Sequence, residues 1–380
     1  MREVVTTIGT NVLSRAGQLL DAGGAERICC VVDETAYRNS GAEALLEPVL
    51  AGRRVAMFTA FSPNPKLEDI VSCSAFLREH DADAVIAVGG GSALDVAKSA
   101  RLLARHGNPP ETIVAGKAPI VNRGIPMLAV PTTAGTGSEA THFAVIYVDG
   151  RKTSLAHEHI LPEWAVVDSR LTENLPPRLT AMTGFDALSQ ALESMWAPAA
   201  TPDSRADAQH AIRRIRRSLI EAVQAPTPRA RLDMAEASNR AGRAINVTKT
   251  TAPHAVSYTI TSSFGIPHGH AVALTVAPFI RATAAQADRL PDTAGRRRVG
   301  DALCTIFRLF EVRDAGECAL AWKALMVEAG LEPDLASLGI AGAASRERIA
   351  AGVNTERLSN HPVPVTRELL DWVLDQASGT

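Results

Sequence analysis

Four residues in the second half of the chain combine types and spacings that suit metal chemistry. Asp186 and Gln190, in Thr183-Gly184-Phe185-Asp186-Ala187-Leu188-Ser189-Gln190, stand four apart and share a face if the segment is helical. His254 follows Pro253, and His268 follows Pro267. One carboxylate and two imidazoles suit a divalent transition metal with an open coordination position, Fe(II) or Zn2+. The amide oxygen of Gln190 adds a neutral donor, weaker for such a metal than a third histidine. Taken singly, Asp186 also reads as a helix acid, Gln190 as a surface residue and His254 as the filling of a kink.

Two glycine-rich segments in the first half point to a different ligand. Val88-Gly89-Gly90-Gly91-Ser92 follows an apolar strand and opens a helix. Gly90 and Gly91 let backbone N–H groups approach an anion with no Cβ in the way. Ser92 suits the helix N-cap, where the helix terminus adds partial positive charge for a pyrophosphate. Read alone, the segment is equally a tight strand-to-helix turn. A second segment, Pro131 to Glu139, follows another strand, with Thr132, Thr133 and Thr136 interleaved with Gly135 and Gly137. Two such loops at the carboxyl ends of strands in one parallel sheet line one crevice, where open α/β sheets bind ligands. Asp33, at the end of the strand 27–33, is positioned to hold an adenosine ribose hydroxyl. Its charge repels a 2′-phosphate, which favours NAD(H) over NADP(H).

The elements that must hold these groups change character along the chain. Short β-branched runs at 27–33, 53–59, 84–88, 126–130 and 143–148 alternate with amphipathic stretches such as 65–80 and 92–106. That alternation predicts a parallel sheet with helices on both faces. From about Leu175 the apolar positions recur at helical spacing, through 183–195, 208–223, 229–244, 299–310 and 315–329. Leu175-Pro176-Pro177-Arg178 supplies the break, since two prolines do not sit inside a helix. The expected organisation is an α/β dinucleotide-binding domain over residues 1–175, a hinge near 172–182, and an all-α metal and substrate domain over 176–380.

Composition narrows the function classes. At 380 residues the chain fits about two domains, and 46% hydrophobic with 21% charged residues excludes disorder and coiled coil. Lys and Arg total 39 against 41 Asp and Glu, so the charge balance calls for neither nucleic acid nor an anionic membrane. Aromatics at 4% argue against a stacking platform for bases or sugars. The basic clusters Arg213–Arg217 and Arg296–Arg298 read as a solvated helix face and a loop. No apolar run approaches the roughly 20 residues that span a bilayer. The N-terminal stretch carries charged and polar residues where a signal peptide is apolar, and five cysteines lack a CxxC spacing. A reducing cytoplasm is the expected compartment.

Taken in series, these segments resemble the iron-containing (group III) alcohol dehydrogenase family. The resemblance is carried by Pro63-Asn64-Pro65, the GGGSALDVAK run at 89–98, PTTAGTGSEAT at 131–141, GFDALSQALES at 184–194, and His254 and His268 in order. It implies a dehydroquinate synthase-like architecture: an α/β dinucleotide domain, a helical metal domain, and a cleft between them. It further implies NAD(P)-dependent interconversion of aldehydes and alcohols in a homodimer or larger assembly. Asn64, Asp95, Lys152 and Leu171 fall at family positions near the cofactor, Lys152 beside the nicotinamide ribose. Asp186, Gln190, His254 and His268 fall at the metal positions, though the family generally has histidine where Gln190 stands. It also commonly has a further histidine four residues after the first metal histidine, where this chain has Tyr258. The proton it relays would pass instead through Tyr258, His270 or solvent.

Both departures look like the phosphonoacetaldehyde reductase branch of the family, as do the stretches 61–69, 246–258 and 265–274. That resemblance implies reduction of phosphonoacetaldehyde to 2-hydroxyethylphosphonate in phosphonate natural-product biosynthesis. A dianionic substrate needs cations and hydrogen-bond donors near the metal. Lys249, with Asn246 and Thr250 around it, lies a few residues before His254. Another small aldehyde or primary alcohol is the alternative substrate, and a lyase akin to dehydroquinate synthase is the alternative reaction.

Overall fold

In the first half, runs of small and β-branched apolar residues are short enough to be strands and lie between stretches of helical periodicity. The computed structural model describes residues 3–340 and 342–379. Its strands are β1 Val5–Gly9, β2 Arg27–Val32, β3 Arg54–Phe58, β4 Ala84–Gly89, β5 Met127–Pro131, β6 Phe143–Val148, β7 Arg151–Ala156 and β8 Trp164–Asp168. Six of them form one all-parallel sheet in the order β1-β8-β5-β4-β2-β3. Alternate residues of β4 feed two cores. Val85 and Ala87 pack with Ile70, Leu77, Leu94 and Met127, while Ile86 and Val88 pack with Leu13, Leu20, Ile28 and Leu128. A central strand buried on both faces is the reason its sequence is an unbroken apolar run rather than an alternating one.

β6 departs from the expectation of a single sheet. It turns through Asp149 and Gly150, with φ of 49° and 73°, and pairs with β7 as a separate antiparallel hairpin. Two successive positive-φ residues between paired strands match the twist of a hairpin and close it tightly. The helix Gly91–Leu103 clips this hairpin through a buried acid–base pair. Asp95 accepts hydrogen bonds from the Ser138 hydroxyl (2.7 Å) and the Val145 N–H (2.9 Å). The Lys98 ammonium donates to Ser138 Oγ, Thr141 Oγ1 and the Phe143 carbonyl at 2.9, 2.9 and 2.8 Å.

The first compact unit ends at Leu175 and the second begins at Pro176. Pro177 occupies the first turn of the helix Pro177–Trp196, where its missing N–H costs nothing. Among the described residues the second unit contains no strand. Its framework is a succession of helices, Pro177–Trp196, Pro202–Gln224, Pro228–Thr248, Ala252–Phe264, His268–Gln286, Thr293–Phe310 and Ala315–Glu328. The basic cluster on the second of these helices is partly exposed, with Arg213 and Arg217 open to solvent, and two of its members form ion pairs within the fold. Arg214 and Arg217 both pair with Asp233 on the next helix, and Arg214 also reaches Glu236 at 2.6 Å. No helix among the described residues is long and apolar enough to cross a membrane.

Candidate functional site

In the second unit, Asp186, Gln190 and Glu193 occur at spacings of four and three on the helix Pro177–Trp196, so they share one buried face. Gln190 Nε2 donates to Asp186 Oδ1 at 3.2 Å. Glu193 is fully buried, and its Oε2 accepts both the Thr251 N–H (2.6 Å) and the Thr251 hydroxyl (2.7 Å). Thr251 thereby fixes the start of the helix Ala252–Phe264. Pro253 lies in that helix's first turn, so it begins a helix rather than kinking one. His254 follows, its Nδ1 bonded to Glu193 and its Nε2 facing Asp186 Oδ1 at 3.3 Å. Burial opposes a charge on this imidazole. Glu193 first, and Asp186 with it, outweigh that and raise the His254 pKa to about 9.

His268 enters from the helix His268–Gln286. A Cβ on the next residue, Gly269, would lie 2.1 Å from the Met182 carbonyl oxygen and 3.0 Å from Asp186 Cβ. The absence of that carbon lets the two helices touch and sets His268 beside Asp186. One ligand atom from each of Asp186, His254 and His268 lies within 4.8 Å of the others. Gln190 Oε1 is buried with no hydrogen-bond partner among the described residues. A buried oxygen without a donor, next to a carboxylate and two imidazoles, fits a four-ligand site for a divalent transition ion.

The ring of His268 stacks on Tyr258, with centroids 5.6 Å apart and planes 18° apart. The Tyr258 phenol hydrogen-bonds with Thr250 and Arg357, and burial raises its pKa. Lys249 is exposed and adopts φ 57°, ψ 179°, a conformation that costs a side-chain-bearing residue about 1–3 kcal/mol. The carbonyls on either side hold it there, since Asn360 Nδ2 donates to Thr248 O (2.9 Å) and Thr250 O (2.8 Å). Asn246 is half-buried on the preceding helix. His270, the other side chain named for the proton path, is oriented away from solvent. Its ring is fully buried and its Nε2–H is committed to the Glu332 carbonyl at 2.8 Å.

In the first unit, the register of β4 on β5 pairs Gly89 with Pro131, so both glycine-rich loops start level. They then abut. A Cβ on Gly91 would lie 2.9 Å from Thr136 Cγ2, and one on Gly90 would lie 3.5 Å from Thr133 Cγ2. Gly89 has φ 152°, and a side chain there would strike Ala93. The helix cap falls on Gly90, so Ser92 lies inside the first turn instead of capping it. That terminus has no side-chain cap and no acid in its first turn, leaving its N–H groups open to an anion. The buried Thr132 hydroxyl has no partner among the described residues.

Asp33 lies against this turn, its N–H bonded to the Val88 carbonyl, while its carboxylate caps the next short helix through the Ala36 N–H. Lys152 stands half-buried on β7 and acts electrostatically on Asp95. The remaining three expected cofactor residues have these surroundings. Both Asp95 oxygens are taken by the hairpin clip, the Leu171 side chain is in the core, and Asn64 is exposed at φ 60°. Sequence reasoning passed over Glu193, Gly269 and Arg357. The spacing of Asp186, Gln190 and Glu193 on an otherwise apolar helix is the signal that finds the first. A lone arginine near the C-terminus carries no such signal.

Two family models match the chain. Iron-containing alcohol dehydrogenase matches residues 5–169, and Fe-containing alcohol dehydrogenase family, C-terminal, matches residues 180–378. Long-chain-alcohol dehydrogenase 1 of Geobacillus thermodenitrificans is 33% identical over 90% of this chain and 87% of its own. Phosphonoacetaldehyde reductase of Streptomyces viridochromogenes is 33% identical over 82% of this chain and 80% of its own. Among solved structures, sulfoacetaldehyde reductase from Bifidobacterium kashiwanohense, in complex with NAD+, superposes with a TM-score of 0.89 at 30% identity. It covers 100% of this chain and 98% of that one.

Proposed function

The chain belongs to the iron-containing alcohol dehydrogenase family, and we propose that it reduces phosphonoacetaldehyde to 2-hydroxyethylphosphonate with a nicotinamide cofactor as hydride donor. The observation that carries the reaction class is the Asp186, His254 and His268 cluster with the unpartnered Gln190 oxygen beside it. These four residues would hold Fe(II) or Zn2+. Bound there, such an ion supplies Lewis acidity toward a carbonyl oxygen. The substrate rests on likeness to two relatives whose names specify an acetaldehyde bearing a phosphonic or sulfonic acid.

The chain's own groups have defined tasks in this reading. Gly90, Gly91, Ser92, Thr132, Thr133 and Thr136 receive the pyrophosphate at the open helix terminus. Asp33 takes the adenosine ribose and favours NAD(H). Lys152 serves the nicotinamide ribose. Tyr258, a phenol and so protonated at neutral pH, would give its proton to the new alcohol oxygen. Thr250 and Arg357 orient its phenol. Lys249, Asn246 and Thr250 meet the acid group, in a homodimeric enzyme.

The likeness to a long-chain-alcohol dehydrogenase supports a second reading, an uncharged aldehyde or primary alcohol as substrate. Both family models describe dehydrogenases, so the lyase alternative draws no support. The deciding measurement is NADH and NADPH oxidation with phosphonoacetaldehyde and with propanal, each with and without added Fe(II) or Zn2+. Metal-dependent turnover at least tenfold more efficient with the phosphonate is expected, a ratio of about 1.4 kcal/mol. Equal efficiencies would return the substrate to the uncharged class.

A further inference from the structure

The described residues include several buried or half-buried arginines, and most meet a carboxylate. Arg101 pairs with Glu163, Arg214 with Asp233, and Arg240 with Asp207. Arg357 is half-buried, yet among the described residues its guanidinium pairs with no carboxylate. Its neighbours are the phenol and the ring face of Tyr258, with the guanidinium carbon 5.0 Å from the ring centre. A ring quadrupole compensates a desolvated cation less fully than a carboxylate does.

Position gives that uncompensated charge a use. Tyr258 touches Arg357 with one contact and stacks on the metal-cluster residue His268 with another. Laid end to end, those separations of 5.0 and 5.6 Å bound the distance from the guanidinium to the His268 ring. A two-carbon aldehyde whose carbonyl is at the cluster reaches that far with its acid group. Asn360, three residues on from Arg357, is the side chain that clamps the backbone around Lys249. One short segment therefore supplies a fixed guanidinium and holds a second cation in place.

We propose that Arg357 is a specificity-determining residue that reads the tetrahedral acid group, phosphonate or sulfonate, of a short aldehyde substrate, with Lys249 as its second cation. The inference rests on the preceding reading that an anionic aldehyde reacts at this cluster. A guanidinium presents parallel N–H donors that match two oxygens of such a group, and an ammonium does not.

The test compares phosphonoacetaldehyde, sulfoacetaldehyde and propanal in the wild-type enzyme, Arg357→Gln and Arg357→Lys. The ratio of kcat/KM for either acid-bearing aldehyde to that for propanal should fall on the order of tenfold to a hundredfold in Arg357→Gln, chiefly through KM. Arg357→Lys should recover part of it. Calorimetric titration with 2-hydroxyethylphosphonate should show a matching loss of affinity without relying on turnover. A wild-type preference for acids that survives unchanged in both variants overturns the role of Arg357 alone. So does a uniform loss across all three aldehydes. No wild-type preference at all overturns the substrate reading and this inference with it. A ratio that falls for only one of the two acids assigns the subsite to that acid.

Discussion

Behind His254 stands Glu193, one oxygen on the imidazole Nδ1 and the other shared by the Thr251 N–H and hydroxyl. The carboxylate fixes the ring's orientation and leaves Nε2 for the cluster, the arrangement by which an outer group raises a ligand's basicity. Glu193→Gln keeps an oxygen for Thr251 and removes the charge. We expect metal affinity to fall about tenfold to a hundredfold, measured by competition with a chromogenic chelator. An unchanged affinity would reduce Glu193 to a packing role. At this scale the sequence pointed to Asp186, His254 and His268 through their types taken together with the family motifs, and the structure brings one ligand atom of each within 4.8 Å of the others. The sequence did not disclose Arg357, whose meaning comes only from the aromatic ring it faces. Nor did it disclose that His270 turns into the core, although it stands two residues from His268.

At the scale of elements, the hairpin β6–β7 hangs on two side chains of one helix. Burial lowers the Lys98 pKa and raises that of Asp95, so each depends on the other and on its hydrogen bonds to stay charged. Lys98→Met would leave Asp95 an uncompensated buried charge and strip donors from Ser138, Thr141 and Phe143. The loss should be about 3–5 kcal/mol. Hydrogen exchange would locate it, with the β6 and β7 amides exposed before those of β4 and β5. Uniform acceleration over the whole sheet would mean that the clip stabilises the unit and not the hairpin.

Strands rich in apolar residues were legible because burial on two faces demands such runs. β7, with Arg151 and Lys152 at its start, carries only a single buried residue and shows no such pattern. β1 lies at the sheet edge with no buried position, so it does not stand out as a strand in the sequence.

For the whole molecule, the two family models and the two compact units fall on nearly the same residues. The architecture was readable because hydrophobic periodicity changes at a pair of prolines that can start a helix but not continue one. On the proposed reading each unit carries a ligand site of its own, so each should respond to its own ligand. In calorimetry, Fe(II) or Zn2+ should stabilise the second unit, and NADH the first. The gain should be about 2.7 kcal/mol at a hundredfold excess over the dissociation constant. Asp186→Asn should abolish the metal effect and keep that of NADH. A metal effect that persists in Asp186→Asn would place the ion elsewhere.

The backbone at Lys249 has one more consequence. A residue held at φ 57°, ψ 179° is one where glycine would relax the chain. Glycine would also delete the ammonium. If Lys249 meets the acid group as proposed, heat tolerance and discrimination between substrates pull this single codon in opposite directions. Repeated selection for thermal survival would push it toward glycine, and growth dependent on a charged aldehyde would hold it at lysine.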